Sequence, residues 1–123
     1  MTTVLIIDDD ELIRSFLIES FESKGYTVRV ATNGQLGIDA YIENPTDLVI
    51  TDLFMPEKDG VEVVRSLIKH DPNVKILAMS GGDPSAGRED VLEDFGVKRT
   101  FGKPFKIAEV LAAAEEVLLK DDE

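Results

Sequence analysis

Leu48-Val49-Ile50-Thr51-Asp52 restricts the possible folds more than any other stretch of this chain. Four apolar or β-branched residues run straight into an aspartate. They lack the alternation of a half-exposed strand, so the segment reads as a strand buried on both faces. Met55-Pro56 and Glu57-Lys58-Asp59-Gly60 end it, because proline removes a ladder donor and glycine relaxes the backbone. Val4-Leu5-Ile6-Ile7 is a second run of this kind, and it ends in Asp8-Asp9-Asp10-Glu11. Lys75-Ile76-Leu77-Ala78-Met79 is another, with Ser80 at its end. Tyr26–Ala31 is β-rich and partly alternating, which suits a more exposed strand, and Arg99–Gly102 is a short last one.

Between these runs the apolar period changes to that of a helix. Leu12, Ile13, Phe16, Leu17 and Phe21 mark the first helix, which ends at Lys24-Gly25. Asn33-Gly34 is a turn signal, and Leu36, Ile38, Ala40, Tyr41 and Ile42 form a weaker helix ending at Asn44-Pro45. Val61, Val64, Leu67 and Ile68 mark a third, closed by His70-Asp71-Pro72. Val91, Leu92 and Phe95 predict a short fourth, and Ile107, Val110, Leu111, Ala114, Val117 and Leu118 give the cleanest stripe. Five strand–helix alternations imply an α/β fold, a doubly wound parallel sheet with helices on both faces. At 123 residues this is one domain spanning 1–123.

The charge and the missing residue types narrow the function. The formal net charge is −12, which repels phosphate backbones and disfavours nucleic acid as a direct partner. Cysteine is absent and His70 is the lone histidine, so thiolate chemistry and a transition-metal site are disfavoured. His70 sits near a helix end and is assigned no chemistry. No apolar run approaches a membrane span and the N-terminus lacks a signal peptide's pattern, so the expected location is the cytoplasm. The loop 81–87 contains glycines but no P-loop pattern, and it reads as a mobile loop.

In a parallel sheet all carboxyl ends share one edge, which is where open α/β sheets bind ligands. Asp8, Asp9, Asp52, Ser80 and Lys103 all fall at or beside those ends. Capping of the first helix accounts for one or two of the acidic residues at 8–11, but not for four in a row after a buried strand. Three carboxylates in small number suit a hard cation such as Mg²⁺ (or Mn²⁺), which pairs with phosphoryl oxygens. An aspartate can attack phosphorus to form an acyl phosphate, and an ammonium and a hydroxyl can share the charge.

With these residues in place, the chain resembles the receiver domain of bacterial response regulators, the group that includes the chemotaxis response regulator. The resemblance covers 3–119 and is carried by Ile7-Asp8-Asp9-Asp10, Asp52-Leu53-Phe54-Met55-Pro56 with Gly60, Ser80-Gly81, and Lys103-Pro104-Phe105. It implies a flavodoxin-like (βα)5 sandwich of strand order 2-1-3-4-5, a stand-alone receiver with its core at 3–119. It implies that Asp52 accepts a phosphoryl group from a sensor histidine kinase or phosphotransfer protein. Asp9, Asp52 and the Phe54 backbone carbonyl would ligate Mg²⁺ directly, and Asp8 through water. Ser80 and Lys103 would contact the phosphoryl group, with the Lys103–Pro104 peptide cis. A face around residues 88–111 would then engage a downstream protein, as a monomer or a phosphorylation-dependent dimer. Such a protein catalyses its own phosphoryl transfer and hydrolysis without being a turnover enzyme.

Several positions depart from or refine the family pattern. Many receivers carry an aromatic residue where this chain has Thr100, while Phe101 falls on the opposite sheet face, so the usual aromatic switch is not expected. Lys106 stands where relatives have a small polar cap, which predicts a frayed start to the last helix. Phe54 offers no group to orient water and would lengthen the phosphoryl lifetime relative to Asn or Glu there. Two other readings compete. One is a phosphatase resembling the haloacid dehalogenase superfamily, suggested by Asp-x-Asp within Asp8-Asp9-Asp10, although Leu12 departs from its motif. The other is a phosphorylation-independent scaffold, which would have no use for clustered carboxylates.

Overall fold

The structure is a computed structural model that describes residues 2–53, 60–80, 96–102 and 105–119, the side chain of Ser80 excepted. Five strands, β1 (Thr3–Ile7), β2 (Thr27–Ala31), β3 (Leu48–Asp52), β4 (Ile76–Ser80) and β5 (Arg99–Gly102), form one sheet of order β2-β1-β3-β4-β5. Every pairing is parallel. The described helices are α1 (Glu11–Glu22), α2 (Gly34–Glu43), α3 (Gly60–His70) and α4 (Ile107–Leu119). The short helix predicted around Val91, the glycine loop 81–87, Phe54 and the Lys103–Pro104 peptide lie outside the described residues.

Strand parity divides the core in two. Leu5, Ile7, Val49, Ile76 and Ala78 face α2 and α3, packing with Ile38, Tyr41, Val63, Val64 and Leu67. Val4, Ile6, Leu48, Ile50, Leu77, Met79 and Phe101 face α1 and α4, packing with Leu17, Phe21, Val110 and Ala114. All five residues of β3 are buried, as expected of a central strand with helices on both sides.

Some element ends match the sequence expectations and others differ. Asn33 is the N-cap of α2, its side chain accepting from Leu36 N, so Asn33-Gly34 opens a helix instead of making a free turn. Gly25 takes φ +92° after α1, the left-handed conformation that glycine adopts without strain. Leu12 is 82% exposed and Phe16 is 47% exposed, so the apolar stripe of α1 reaches beyond the surface its helix buries. Lys106 precedes α4, and its carbonyl accepts from Glu109 and Val110.

Candidate functional site

Strand parity brings two of the acidic side chains, Asp8 and Asp52, to the same face. Val4 and Ile6 face α1, and so does Asp8 two residues on; Leu48 and Ile50 share that face with Asp52. β1 and β3 pair in register as far as Ile7 and Thr51, which sets Asp8 beside Asp52 one step later. One carboxylate oxygen from each of Asp8, Asp9 and Asp52 lies within 4.8 Å of the others. Asp8 is 1% exposed and Asp52 5%, whereas Asp9 faces solvent. Hard oxygen donors gathered this closely fit a divalent cation that keeps some of its waters. They fit no soft metal, since cysteine is absent from the chain.

The four acidic residues after β1 divide by role. Asp10 is the N-cap of α1, its Oδ1 accepting from Leu12 N at 2.9 Å and Ile13 N at 3.3 Å, and Glu11 occupies the first turn. Asp8 and Asp9 join Asp52. Capping therefore explains half of the acidic run, and the edge of the sheet takes the rest. Asp8 Oδ1 also accepts from Asp10 N at 2.9 Å, which folds the connection back on itself.

Ser80 ends β4 and pairs in register with Gly102, the residue before Lys103. That register carries Ser80 and Gly102 to the same edge as Asp52. Lys103 and Phe54 themselves lie outside the described residues. Thr100 pairs with Ala78, and its hydroxyl is buried with no hydrogen-bond partner among the described residues. Phe101 is buried on the opposite face, as the alternation of β5 predicts.

Two contacts escaped the sequence reading. Arg14 Nη1 donates to the Asp8 carbonyl at 2.9 Å; the available signal was a cation one turn into the helix that follows the acidic run. Gly60 opens α3 against the end of β3, its N–H donating to the Leu53 carbonyl at 3.1 Å. Its place in the motif was legible, but the closeness of the packing was not.

A doubly wound parallel sheet with a carboxylate trio at its carboxyl edge defines an α/β domain of flavodoxin-like type. Comparison with known proteins then specifies the family. Residues 4–115 match the family described as response regulator receiver domain. The response regulator receiver protein CpdR of Brucella abortus is 32% identical over 97% of this chain and 98% of its own. The chemotaxis protein CheY of Thermotoga maritima is 34% identical over 93% of this chain and 95% of its own. Among solved structures, the response regulator TrrA of Thermotoga maritima, described in complex with Mg²⁺ and BeF, superposes with a TM-score of 0.86. It is 27% identical, and the match covers 95% of this chain and 99% of that one. The chain belongs to the response regulator receiver family, the receivers of two-component, phosphorylation-based signalling. The phosphatase and scaffold readings are not favoured. No helix among the described residues is long and apolar enough to cross a membrane.

Proposed function

We propose that Asp52 is the phosphoacceptor of this receiver and that Asp8 and Asp9 complete a Mg²⁺ site with it. The observation that carries this is the meeting of the three carboxylates at the carboxyl end of the central strand. In the transfer, an Asp52 carboxylate oxygen bonds to phosphorus as the P–N bond of a phosphohistidine breaks. The imidazole keeps that electron pair and takes up a proton. Mg²⁺, when bound, supplies positive charge at the phosphoryl oxygens. Asp9 and Asp52 would hold it directly with the Phe54 carbonyl, and Asp8 through water. Lys103 would pair with the phosphoryl group and Ser80 would donate its hydroxyl.

The donor is a sensor histidine kinase or a phosphotransfer protein, and the output is a downstream protein bound at the face around 88–111. We read residues 1–123 as one cytoplasmic receiver with its core at 3–119, loaded and hydrolysed at one aspartate without multiple turnover of a substrate. Incubation with acetyl phosphate and Mg²⁺, followed by intact-mass spectrometry, tests this on the wild type and Asp52→Asn. The expected result is one phosphoryl adduct that requires Mg²⁺ and is missing from the variant. A wild type that takes no adduct and does not bind beryllofluoride would remove Asp52 from the mechanism.

A further inference from the structure

Three residues, Asp8, Asp9 and Asp10, connect β1 to α1, and two of them carry carboxylates of the trio. Their mutual repulsion with Asp52 tends to spread this connection away from β3. Arg14 holds both of its ends. The Arg14 backbone N–H donates to the Asp10 carbonyl at 2.9 Å, and its guanidinium donates to the Asp8 carbonyl at 2.9 Å. The side chain is half-buried, where a charge-assisted hydrogen bond is stronger than at an open surface. Because this bond ends on a main-chain oxygen, it does not consume a carboxylate oxygen.

We propose that Arg14 is a positioning residue for the acidic site, its guanidinium fixing the Asp8 main chain so that the Asp8 and Asp9 carboxylates stay convergent on Asp52. The inference rests on the reading of this trio as the cation site. Charge and position make opposite demands here, and that separates them. A guanidinium bonded to the Asp8 main chain adds positive charge near the proposed cation site, so by charge alone its removal tightens Mg²⁺ binding. Loss of positioning weakens it, as loss of the groups that orient metal ligands does elsewhere, by about tenfold or more.

The experiment compares the wild type with Arg14→Met, which keeps an apolar stem, and with Arg14→Gln and Arg14→Lys. Mg²⁺ is titrated against the amide NMR spectrum of the full chain, and hydrogen exchange of the Asp10 amide is measured without metal. The expected result is Mg²⁺ affinity about tenfold weaker in Arg14→Met and Arg14→Gln, with partial recovery in Arg14→Lys. Faster exchange at Asp10 in the metal-free Met and Gln proteins would accompany it. Arg14→Gln suits a half-exposed helical position and carries the test should the Met variant fail to fold. Affinity equal to or tighter than wild type in a folded Met or Gln variant overturns the proposal while leaving the trio as the cation site. A wild type whose Asp8, Asp9 and Asp52 amides do not respond to Mg²⁺ overturns both.

Discussion

A Cβ built on Gly60 would lie 2.3 Å from the Cα of Leu53 and 2.6 Å from the Asp52 carbonyl oxygen. Both are main-chain atoms at the end of β3, so no side-chain rotation relieves the contact. Either α3 backs away or the strand end moves, and the strand end carries the proposed phosphoacceptor. Gly60→Ala is expected to cost about 1–3 kcal/mol, the usual range for overpacking, read as a lower urea midpoint. It should also slow phosphoryl uptake from acetyl phosphate. Asp10 makes the opposite case, a carboxylate near the site whose observed bonds cap a helix. Asp10→Ala should lose about 1 kcal/mol of stability, and Asp10→Ser should restore most of it. Mg²⁺ affinity that stays near the wild-type value in Asp10→Ser would confirm the division of labour within the acidic run.

Helices α2 and α3 are joined by a polar contact at their carboxyl ends. The Tyr41 hydroxyl on α2 donates to Asp71 Oδ2, just past α3, at 2.8 Å, and the Tyr41 side chain is buried. Burial raises the Tyr41 pKa above its ordinary 10.0, and the hydrogen bond to Asp71 and the charges of Asp71 and Asp47 add to the rise. A raised value means that the folded state holds the phenolic proton more tightly than the unfolded chain. The associated stability is fully present below pH 10 and is lost as pH climbs toward the folded value. Tyr41→Phe should therefore be less stable at pH 7 by about 0.5–1.5 kcal/mol, the net worth of a hydrogen bond. It should also show a shallower decline in thermal midpoint above pH 10; an unchanged alkaline slope would count against this account. Tyr26 is raised as well, by burial and then by the charge of Glu115, and keeps a remaining slope in the variant.

Elements such as these show which parts of the fold could be read from the sequence. Strand β5 was legible to the residue because Arg99–Gly102 is bounded by turn chemistry, and β3 because its apolar run is continuous. The convergence of Asp8, Asp9 and Asp52 followed from the parallel sheet alone. The covered face of α1 was not legible. At about 100° per residue, Leu12 and Phe16 lie roughly 100–180° round the helix from Leu17 and Phe21, with Ile13 between them. Periodicity therefore groups them in one broad stripe without saying how much of it the sheet covers. Phe16 instead meets Phe105, their ring centroids 6.5 Å apart. The Arg14 contact was hidden for a similar reason, since a backbone carbonyl leaves no mark in a sequence.

Over the whole molecule, a net charge of −12 and the carboxylate trio respond to salt differently. Surface repulsion acts over distances comparable to the Debye length, about 10 Å at 0.1 M ionic strength, so NaCl relieves much of it. The trio's oxygens lie within 4.8 Å of one another, inside that length and partly out of water, so dissolved salt screens them poorly. A bound divalent cation acts on them directly and stabilises the folded state by mass action. At ten times its dissociation constant this amounts to about 1.4 kcal/mol, or roughly 5–6 °C in a domain of this size. Thermal melts in MgCl₂ should thus exceed melts in NaCl of equal ionic strength by several degrees. Asp9→Asn removes one of the proposed ligands at an exposed position and should abolish most of that excess, while the rise with NaCl persists. Equal melting curves for the wild type in the two salts would mean that Mg²⁺ acts on this acidic protein only as an ionic atmosphere, and that the trio does not select it.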